Sequence, residues 1–202
     1  MRLTPWDATL SHLRSRRFSA LGVCLLSSPS EKLVIRADLN RLQILVSEFS
    51  EPQRLDAFVK ILGQPSRVFS GKTPAPVGHR NNHLHFYDDL GLYLHEHHAT
   101  YLIGGVCVVF EPGEAFFPTT EPFTGELYVA GQLIQRGMTP KEILAASPLP
   151  LRGHLGHSLV VDGERFSFDI ETYALKTPSG RKSTKRLLSQ VSIGFKNSHR
   201  IC

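Results

Sequence analysis

The feature that most constrains the fold of this 202-residue chain is an order of predicted strands and helices that occurs twice. In each half, two short strands precede one helix and three strands follow it. Strands are predicted at residues 32–35, 42–46, 84–87, 91–95 and 102–110, and again at 126–130, 132–135, 158–161, 166–170 and 187–195. The closing strands align at a spacing of 85 residues, which equates Leu102, Val106, Val108 and Phe110 with Leu187, Val191, Ile193 and Phe195.

Both predicted helices have start signals of the capping-box type. Ser50-Glu51-Pro52-Gln53 precedes the first and Thr139-Pro140-Lys141-Glu142 the second. In such a box the first side chain accepts from an amide of the first turn, and the fourth side chain reaches back. Proline costs nothing at the first helical position. Gly63 is predicted to end the first helix and Pro148 the second.

These elements predict an α+β fold of two tandem ββαβββ-like units, with antiparallel sheets that are each covered by one helix. One helix covers one face of a short antiparallel sheet and leaves the other face free to bind. We expect a first unit at 31–111, a linker at 112–122 and a second unit at 123–202. Asp162-Gly163 between two strands predicts a hairpin. Residues 1–30 are either a leader or a first strand.

The N-terminus bears on the compartment. From Arg14 to Leu26, a basic stretch runs into a short apolar stretch, which is the outline of a secretory signal. With such a signal the protein would be periplasmic; without it we expect a cytoplasmic protein. Hydrophobic residues make up 41% of the chain, which suits a globular core, and no apolar run approaches the roughly 18–20 residues of a membrane span.

The charge is concentrated at the C-terminus. From Lys176 to the end there are seven basic residues and no acidic one. The cluster from Arg181 to Arg186 follows a turn-like Thr177-Pro178-Ser179-Gly180, which favours a solvated hairpin loop, with an acidic protein partner as the alternative. Nucleic acid is not expected as a partner, and the oligomeric state has no signal in the sequence.

Six histidines lie close together in the first unit, at His79, His83, His85, His95, His97 and His98. If the strands that carry His83, His85, His95 and His97 pair, their imidazoles and a nearby carboxylate would suit zinc, iron or manganese. The alternatives are a solvated surface or a polar sheet edge.

Other catalytic patterns are absent from the sequence. It has no G-x-S-x-G, no phosphate-binding glycine-lysine loop and no G-x-G-x-x-G. The three cysteines lie far apart, and Cys107, inside an apolar strand, is expected to be an inert buried thiol. We therefore expect a protein that is not an enzyme and that needs no cofactor or metal.

Three sequence blocks carry a family resemblance. They are Leu62-Gly63-Gln64-Pro65-Ser66-Arg67, Tyr87-Asp88-Asp89-Leu90-Gly91 and Phe123-Thr124-Gly125-Glu126-Leu127. Together they resemble a bacterial family of immunity-type proteins of polymorphic or type VI-secreted toxins. The helix and strands are also similar to small two-layer modules such as the beta-lactamase inhibitor protein, which binds an enzyme with its sheet face, and an outer-membrane assembly lipoprotein.

The resemblance implies an immunity protein that binds a cognate secreted toxin and blocks its active site. The expected partner contacts are His85, Tyr87, Asp88, Asp89, Tyr93, His95 and His97. The alternatives are a metal-dependent enzyme that uses the histidine cluster and an envelope-associated scaffold module.

Overall fold

The structure is a computed structural model that describes residues 32–72, 81–115, 117–154, 158–176 and 182–196. These residues form thirteen β-strands and two α-helices. The strands are β1 (Val34–Ala37), β2 (Leu42–Ile44), β3 (Ser47–Phe49), β4 (Arg67–Lys72), β5 (Asn81–Tyr87), β6 (Leu92–His97), β7 (Leu102–Val109), β8 (Glu126–Val129), β9 (Gln132–Ile134), β10 (Arg152–His154), β11 (Ser158–Asp162), β12 (Phe166–Lys176) and β13 (Lys182–Phe195). The helices are α1 (Leu55–Leu62) and α2 (Pro140–Ala146).

The described strands form a small and a large sheet. The small sheet has the order β3-β2-β1-β8-β9, and the large sheet has the order β10-β11-β12-β13-β7-β6-β5-β4. Each sheet contains strands from both sides of residues 112–122. The pairing of β1 with β8 is parallel, which differs from the antiparallel expectation. A parallel pair needs a long crossover, and the chain between these two strands supplies one.

One apolar core lies between the sheets and helices. It includes Phe58 of α1, Ile143 of α2, Ile35 and Leu127 of the small sheet, and Val191 of the large sheet, all of them inaccessible to solvent. Because strand residues alternate between faces, residues 166, 168 and 170 of β12 and residues 191, 193 and 195 of β13 point into this core. The opposite face of the large sheet, which we call the outer face, lies away from it.

The start of α1 differs from the prediction. The helix begins at Leu55 after Arg54, which makes no capping hydrogen bond through its side chain. The carbonyl of Gln53 accepts a hydrogen bond of 2.7 Å from the amide of Ile103 in β7, which holds residues 50–53 outside the helix. The predicted first capping box is therefore wrong. The end at Gly63 is confirmed, because its φ of 82° and its amide bond to Val59 close the helix.

The second capping box is confirmed. The hydroxyl of Thr139 accepts from the amide of Glu142, and the Glu142 carboxylate accepts from the Thr139 amide at 2.7 Å. The hairpin at Asp162-Gly163 is also confirmed, with the Gly163 amide donating to the carbonyl of Phe166 at 2.8 Å.

The α+β class is confirmed for the described residues. Within them, three strands precede α1 rather than two, and four strands follow each helix rather than three. The additional strands are β3, β4 and β10. They lie at sheet edges and contain few buried apolar side chains, so they lack the alternation that marked the others. Residues 1–30 lie outside the described residues. No helix that the structure describes is long and apolar enough to cross a membrane.

Candidate functional site

One row of side chains crosses all eight strands on the outer face. Cross-strand partners share a face of a sheet, so the strand register identifies the members of the row. From edge to edge they are Arg152, Val160, Asp169, Ser192, Cys107, Tyr93, Phe86 and Arg67. Cys107, Tyr93 and Phe86 form an apolar and aromatic segment of the row, and Asp169 and Ser192 form a polar segment beside it. The face therefore has two chemically different sides.

The aromatic side holds a second, smaller apolar cluster. It consists of Leu84, Phe86, Tyr93, Cys107 and Val109, packed under Ala115 and Phe117. The ring of Phe117 meets that of Tyr93 edge-on at 5.9 Å, and Phe86 lies 5.3 Å from Tyr93. Burial raises the pKa of Tyr93 well above its usual value. Cys107 is 4% exposed, which confirms the prediction that it is buried. Burial raises the pKa of its thiol to about 12, which argues for an inert thiol.

Residues 117–123, which we call the strap, run from Phe117 on this cluster to Phe123 in the main core. Arg67 donates through Nε and Nη2 to the carboxylate of Asp88, at 2.8 and 3.2 Å, and through Nη2 to the carbonyl of Pro118 at 2.7 Å. The amide of Thr120 donates to the same carboxylate at 3.1 Å. The amide of Phe123 donates to the carbonyl of Val109 at 2.7 Å. The strap, most of which lies in the predicted linker, is therefore packed and hydrogen-bonded to the sheet.

The polar side of the outer face is rich in hydrogen-bond acceptors. Asp169 and Glu171 of β12 lie half-buried beside Ser192 and Gln190 of β13, with which they pair. Gln190 is only 2% exposed, and its Oε1 has no hydrogen-bond partner among the described residues. Ser192 Oγ lies 3.3 Å from Cys107 Sγ at the boundary between the two sides.

Four of the seven predicted partner contacts are buried. His85 lies on the core side of the large sheet, where its Nε2 is 2.5 Å from Oε2 of Glu96. Tyr87 faces the main core, and burial raises its pKa to about 12. Asp88 forms an ion pair with Arg67, and Tyr93 belongs to the small apolar cluster.

The other three predicted contacts have accessible surface. Asp89 is exposed at the turn after β5, whereas His95 and His97 are half-buried on the outer face. Only these three offer surface to a partner without a rearrangement.

The histidine-rich strands pair as predicted, but their register separates the histidines. His85 pairs with Leu94, and His95 pairs with Leu84. An odd-numbered residue of β5 therefore shares a face with an even-numbered residue of β6. His83 and His85 lie on the core side and His95 and His97 on the outer face, so the four imidazoles do not converge. No group of three or more His, Cys, Asp or Glu suited to a metal ion occurs within the described ranges.

Sequence reasoning missed several residues of the outer face. They are Arg67, Phe117, Asp169, Glu171, Gln190 and Ser192. The alternation Phe166-Ser167-Phe168-Asp169-Ile170-Glu171 carried the signal, because its polar residues all share the face opposite to its buried ones. Arg67 and Phe117 had no such signal, since their contacts lie far apart in the sequence.

The three sequence blocks meet at one junction. Arg67 of the first block holds Asp88 of the second, and the hydroxyl of Ser66 accepts from the Asp88 amide at 3.1 Å. A Cβ atom on Gly91, which has a φ of 67°, would lie 2.1 Å from the amide nitrogen of Phe123 in the third block. The blocks therefore fix the strap against the large sheet.

The protein is therefore an α+β protein with two sheets. The strap packs against the large sheet, whose outer face has an apolar side and a polar side. A family model described as "Domain of unknown function (DUF7738)" matches residues 34–144, which is more than half of the chain. The chain therefore belongs to this family. The match ends in α2, and it includes all three blocks and the strap. No curated protein and no solved structure gives a significant match.

Proposed function

We propose that this protein is an immunity-type protein that binds a cognate secreted bacterial toxin on the outer face of the large sheet and blocks the toxin's active site. The observation that carries the proposal is the chemistry of this face. Acceptor groups of Asp169, Glu171 and Ser192 lie half-buried on one sheet, beside a packed aromatic cluster that supports them from the side. Polar groups held in fixed positions set the register of a partner and contribute to specificity.

We also infer that the chain consists of two tandem units of the same design, each a helix followed by four antiparallel strands of the large sheet. The order of the large sheet supports this, because β7 and β13 meet at its centre and β4 and β10 lie at its edges. Arg67 and Arg152 lie at the two ends of the central row. They are 85 residues apart in the sequence, as are Cys107 and Ser192. This arrangement strengthens the similarity to the tandem inhibitor protein, which is an analogy of fold.

The test uses the full chain as bait for the toxin encoded beside its gene. The double variant Asp169→Lys and Glu171→Lys should weaken binding by about 100-fold or more, because it removes two acceptors and reverses the charge of this part of the face. The control is Val46→Lys, since Val46 is 92% exposed on the turn between β2 and β3 in the small sheet. The control should bind like the parent protein.

Cell survival provides a second readout. Co-expression with the toxin should be lethal with the double variant and tolerated with the control. The proposal is overturned if the double variant, still folded by circular dichroism, binds and protects as well as the control. It is also overturned if the neighbouring toxin does not bind the parent chain.

A further inference from the structure

The four sheet edges within the described residues differ in length. The small sheet ends in β3 and β9, and the large sheet ends in β10 on one side. Each of these three strands has three residues, whereas β4, at the other end of the large sheet, has six. Natural proteins keep exposed edges short because a long edge pairs with other chains. The length of β4 therefore needs an explanation.

The middle of β4 is open and apolar. Residues 67–70 are all exposed, and Val68 and Phe69 are 52% and 42% accessible. They are two of the five large hydrophobic side chains exposed in the described part of the chain. Because they are consecutive, they lie on opposite faces of the sheet. A strand added at this edge would find one apolar neighbour on each face.

The direction of the backbone groups of β4 follows from the ladder. The amide of Val109 donates to the carbonyl of Gly91, so odd-numbered residues of β6 bond to β7 and even-numbered ones bond to β5. In an antiparallel ladder, successive residues direct their N–H and C=O groups to alternate sides. Leu94 of β6 pairs with His85, and therefore Leu84 of β5 bonds to β4.

Leu84 pairs with Phe69, so the N–H and C=O of Phe69 point toward β5. Those of Val68 and Ser70 consequently point out of the sheet. No described strand pairs with this side of β4. Two donors and two acceptors in a row, at the spacing of a strand, match the groups of an extended backbone.

The side chain of Arg67 determines which extended segments suit this edge. Arg67 is tied back over the ring of Phe86, with its Cζ 3.7 Å from the ring centroid, and therefore does not block the edge. Its side chain remains 48% accessible, and its Nη1 has no hydrogen-bond partner in the described ranges. A carboxylate opposite Arg67 would receive that donor.

We propose that β4 is a docking edge for an extended segment of another protein, in which two consecutive apolar residues precede an acidic residue. The segment adds antiparallel to β4, with its apolar residues opposite Phe69 and Val68 and its carboxylate opposite Arg67. This edge shares only Arg67, the last residue of the central row, with the outer face. It shares none of the acceptor groups at the other end of the row, so the inference goes beyond toxin binding there and does not depend on it.

The probe is the blocked peptide Ser-Thr-Thr-Val-Val-Glu-Thr, carrying a fluorophore for anisotropy measurements with the full chain. Its third and fifth residues would lie opposite Ser70 and Val68. The same peptide with N-methyl groups at these two residues keeps its charge and loses the two donors, and it should bind about tenfold more weakly or worse. A peptide with lysine in place of glutamate should also bind more weakly.

Variants of the protein supply the matched comparison. Val68→Pro removes an outward N–H, which an edge strand tolerates, and should weaken binding about tenfold. Val68→Thr keeps the N–H and the β-branched shape and should weaken binding much less than Val68→Pro. Val46→Thr, on the turn between β2 and β3 and away from this edge, should bind like the parent chain. Binding should also shift the amide resonances of Val68 and Ser70.

Three outcomes would overturn the inference. The first is no binding at millimolar peptide, and the second is equal binding of the N-methylated peptide. The third is concentration-dependent dimerisation in sedimentation that Val68→Pro abolishes, since the edge would then be occupied by a second copy of this chain.

Discussion

Cys107 and Ser192 lie directly opposite each other at the centre of the large sheet, with Sγ and Oγ 3.3 Å apart, and they are separated by 85 residues. This is the spacing at which the closing strands of the two halves align. Val191 lies 85 residues after Val106, and Val108 lies 85 residues before Ile193. The pair Val106–Ile193 therefore corresponds to the pair Val108–Val191, which is also present in the ladder. Cys107 and Ser192 correspond to each other in the same alignment. Any antiparallel pair has a local two-fold axis. In this pair the axis passes between the two residues that the 85-residue alignment predicts to be equivalent.

The variant Ser192→Cys should form a disulfide with Cys107 under mild oxidation. The amide of Phe110 donates to the carbonyl of Ser189, so hydrogen-bonded pairs alternate from there and Cys107–Ser192 is a non-hydrogen-bonded pair. Cα atoms of such pairs lie about 4.5 Å apart, within the range of disulfides. Closing so long a loop should add roughly 4 kcal/mol to the free energy of unfolding.

Mass spectrometry of the proteolysed protein detects this cross-link, and denaturant unfolding with and without reductant measures its effect. The control combines Ser192→Cys with Cys107→Ser and should give no cross-link at this position. Because the Cys107 thiol is buried, the variant is also oxidised during refolding. A variant that forms no cross-link even then would contradict the register of β7 and β13.

The variant Gly91→Ala should destabilise the protein by about 3 kcal/mol or more. Alanine is strained at the φ of 67°, and its Cβ would lie 2.1 Å from the backbone nitrogen of Phe123. Because that neighbour is backbone, the end of the strap would have to move. Urea unfolding followed by circular dichroism gives the difference in the free energy of unfolding.

The matched control is Gly113→Ala, where a Cβ has no heavy atom within 4 Å and φ is not positive. Its free energy of unfolding should stay within about 0.5 kcal/mol of the parent value. Equal stability of the two variants would show that the contact between Gly91 and Phe123 does not fix the strap.

The variant Asp88→Asn should cost about 1–3 kcal/mol in the free energy of unfolding. The carboxylate accepts two hydrogen bonds from Arg67 and one from the amide of Thr120, and the amide side chain weakens the first two. Asp89→Asn changes the exposed neighbour in the same turn and should be nearly neutral. Thermal unfolding of both variants separates a role of Asp88 in the strap from a general effect of charge, which would affect both equally.

Most elements of this fold could be predicted from local pattern. Runs such as residues 102–110 and 187–195 are apolar enough to specify strands, and Thr139 with Glu142 specifies a helix start. Local signals do not specify which segments of the chain contact each other. Ser50 to Gln53 has the sequence of a capping box, but a hydrogen bond from Ile103 removes it from the helix.

The site residues were harder to predict than the elements, because a site depends on faces and register. The alternation around His83 and His85 gave a shared face correctly. The turn between the two histidine-rich strands sets an odd register, which places His95 and His97 on the other face, and its length has no clear signal in the sequence. The ion pair of Arg67 with Asp88 likewise joins residues whose proximity depends on the pairing of β4 with β5.

The last prediction concerns alkaline pH. Burial raises the pKa of Cys107 to about 12 in the folded protein, whereas a cysteine in the unfolded chain has a pKa of about 8.5. Above about pH 8.5 the unfolded chain therefore loses a proton that the folded protein keeps. The stability from the buried neutral thiol is complete below this pH and is lost as the pH rises, by up to roughly 1.4 kcal/mol per unit.

The variant Cys107→Ser removes this titration and leaves Tyr87 and Tyr93, whose raised pKa values act in the same direction. The free energy of unfolding of the parent should therefore fall faster between pH 8 and pH 10 than that of the variant, by roughly 2 kcal/mol in total. Urea titrations at intervals of half a pH unit, under reducing conditions, measure both curves. Parallel curves would mean that the thiol of Cys107 titrates equally in the folded and unfolded chains, which a thiol buried against Tyr93 and Ser192 should not do.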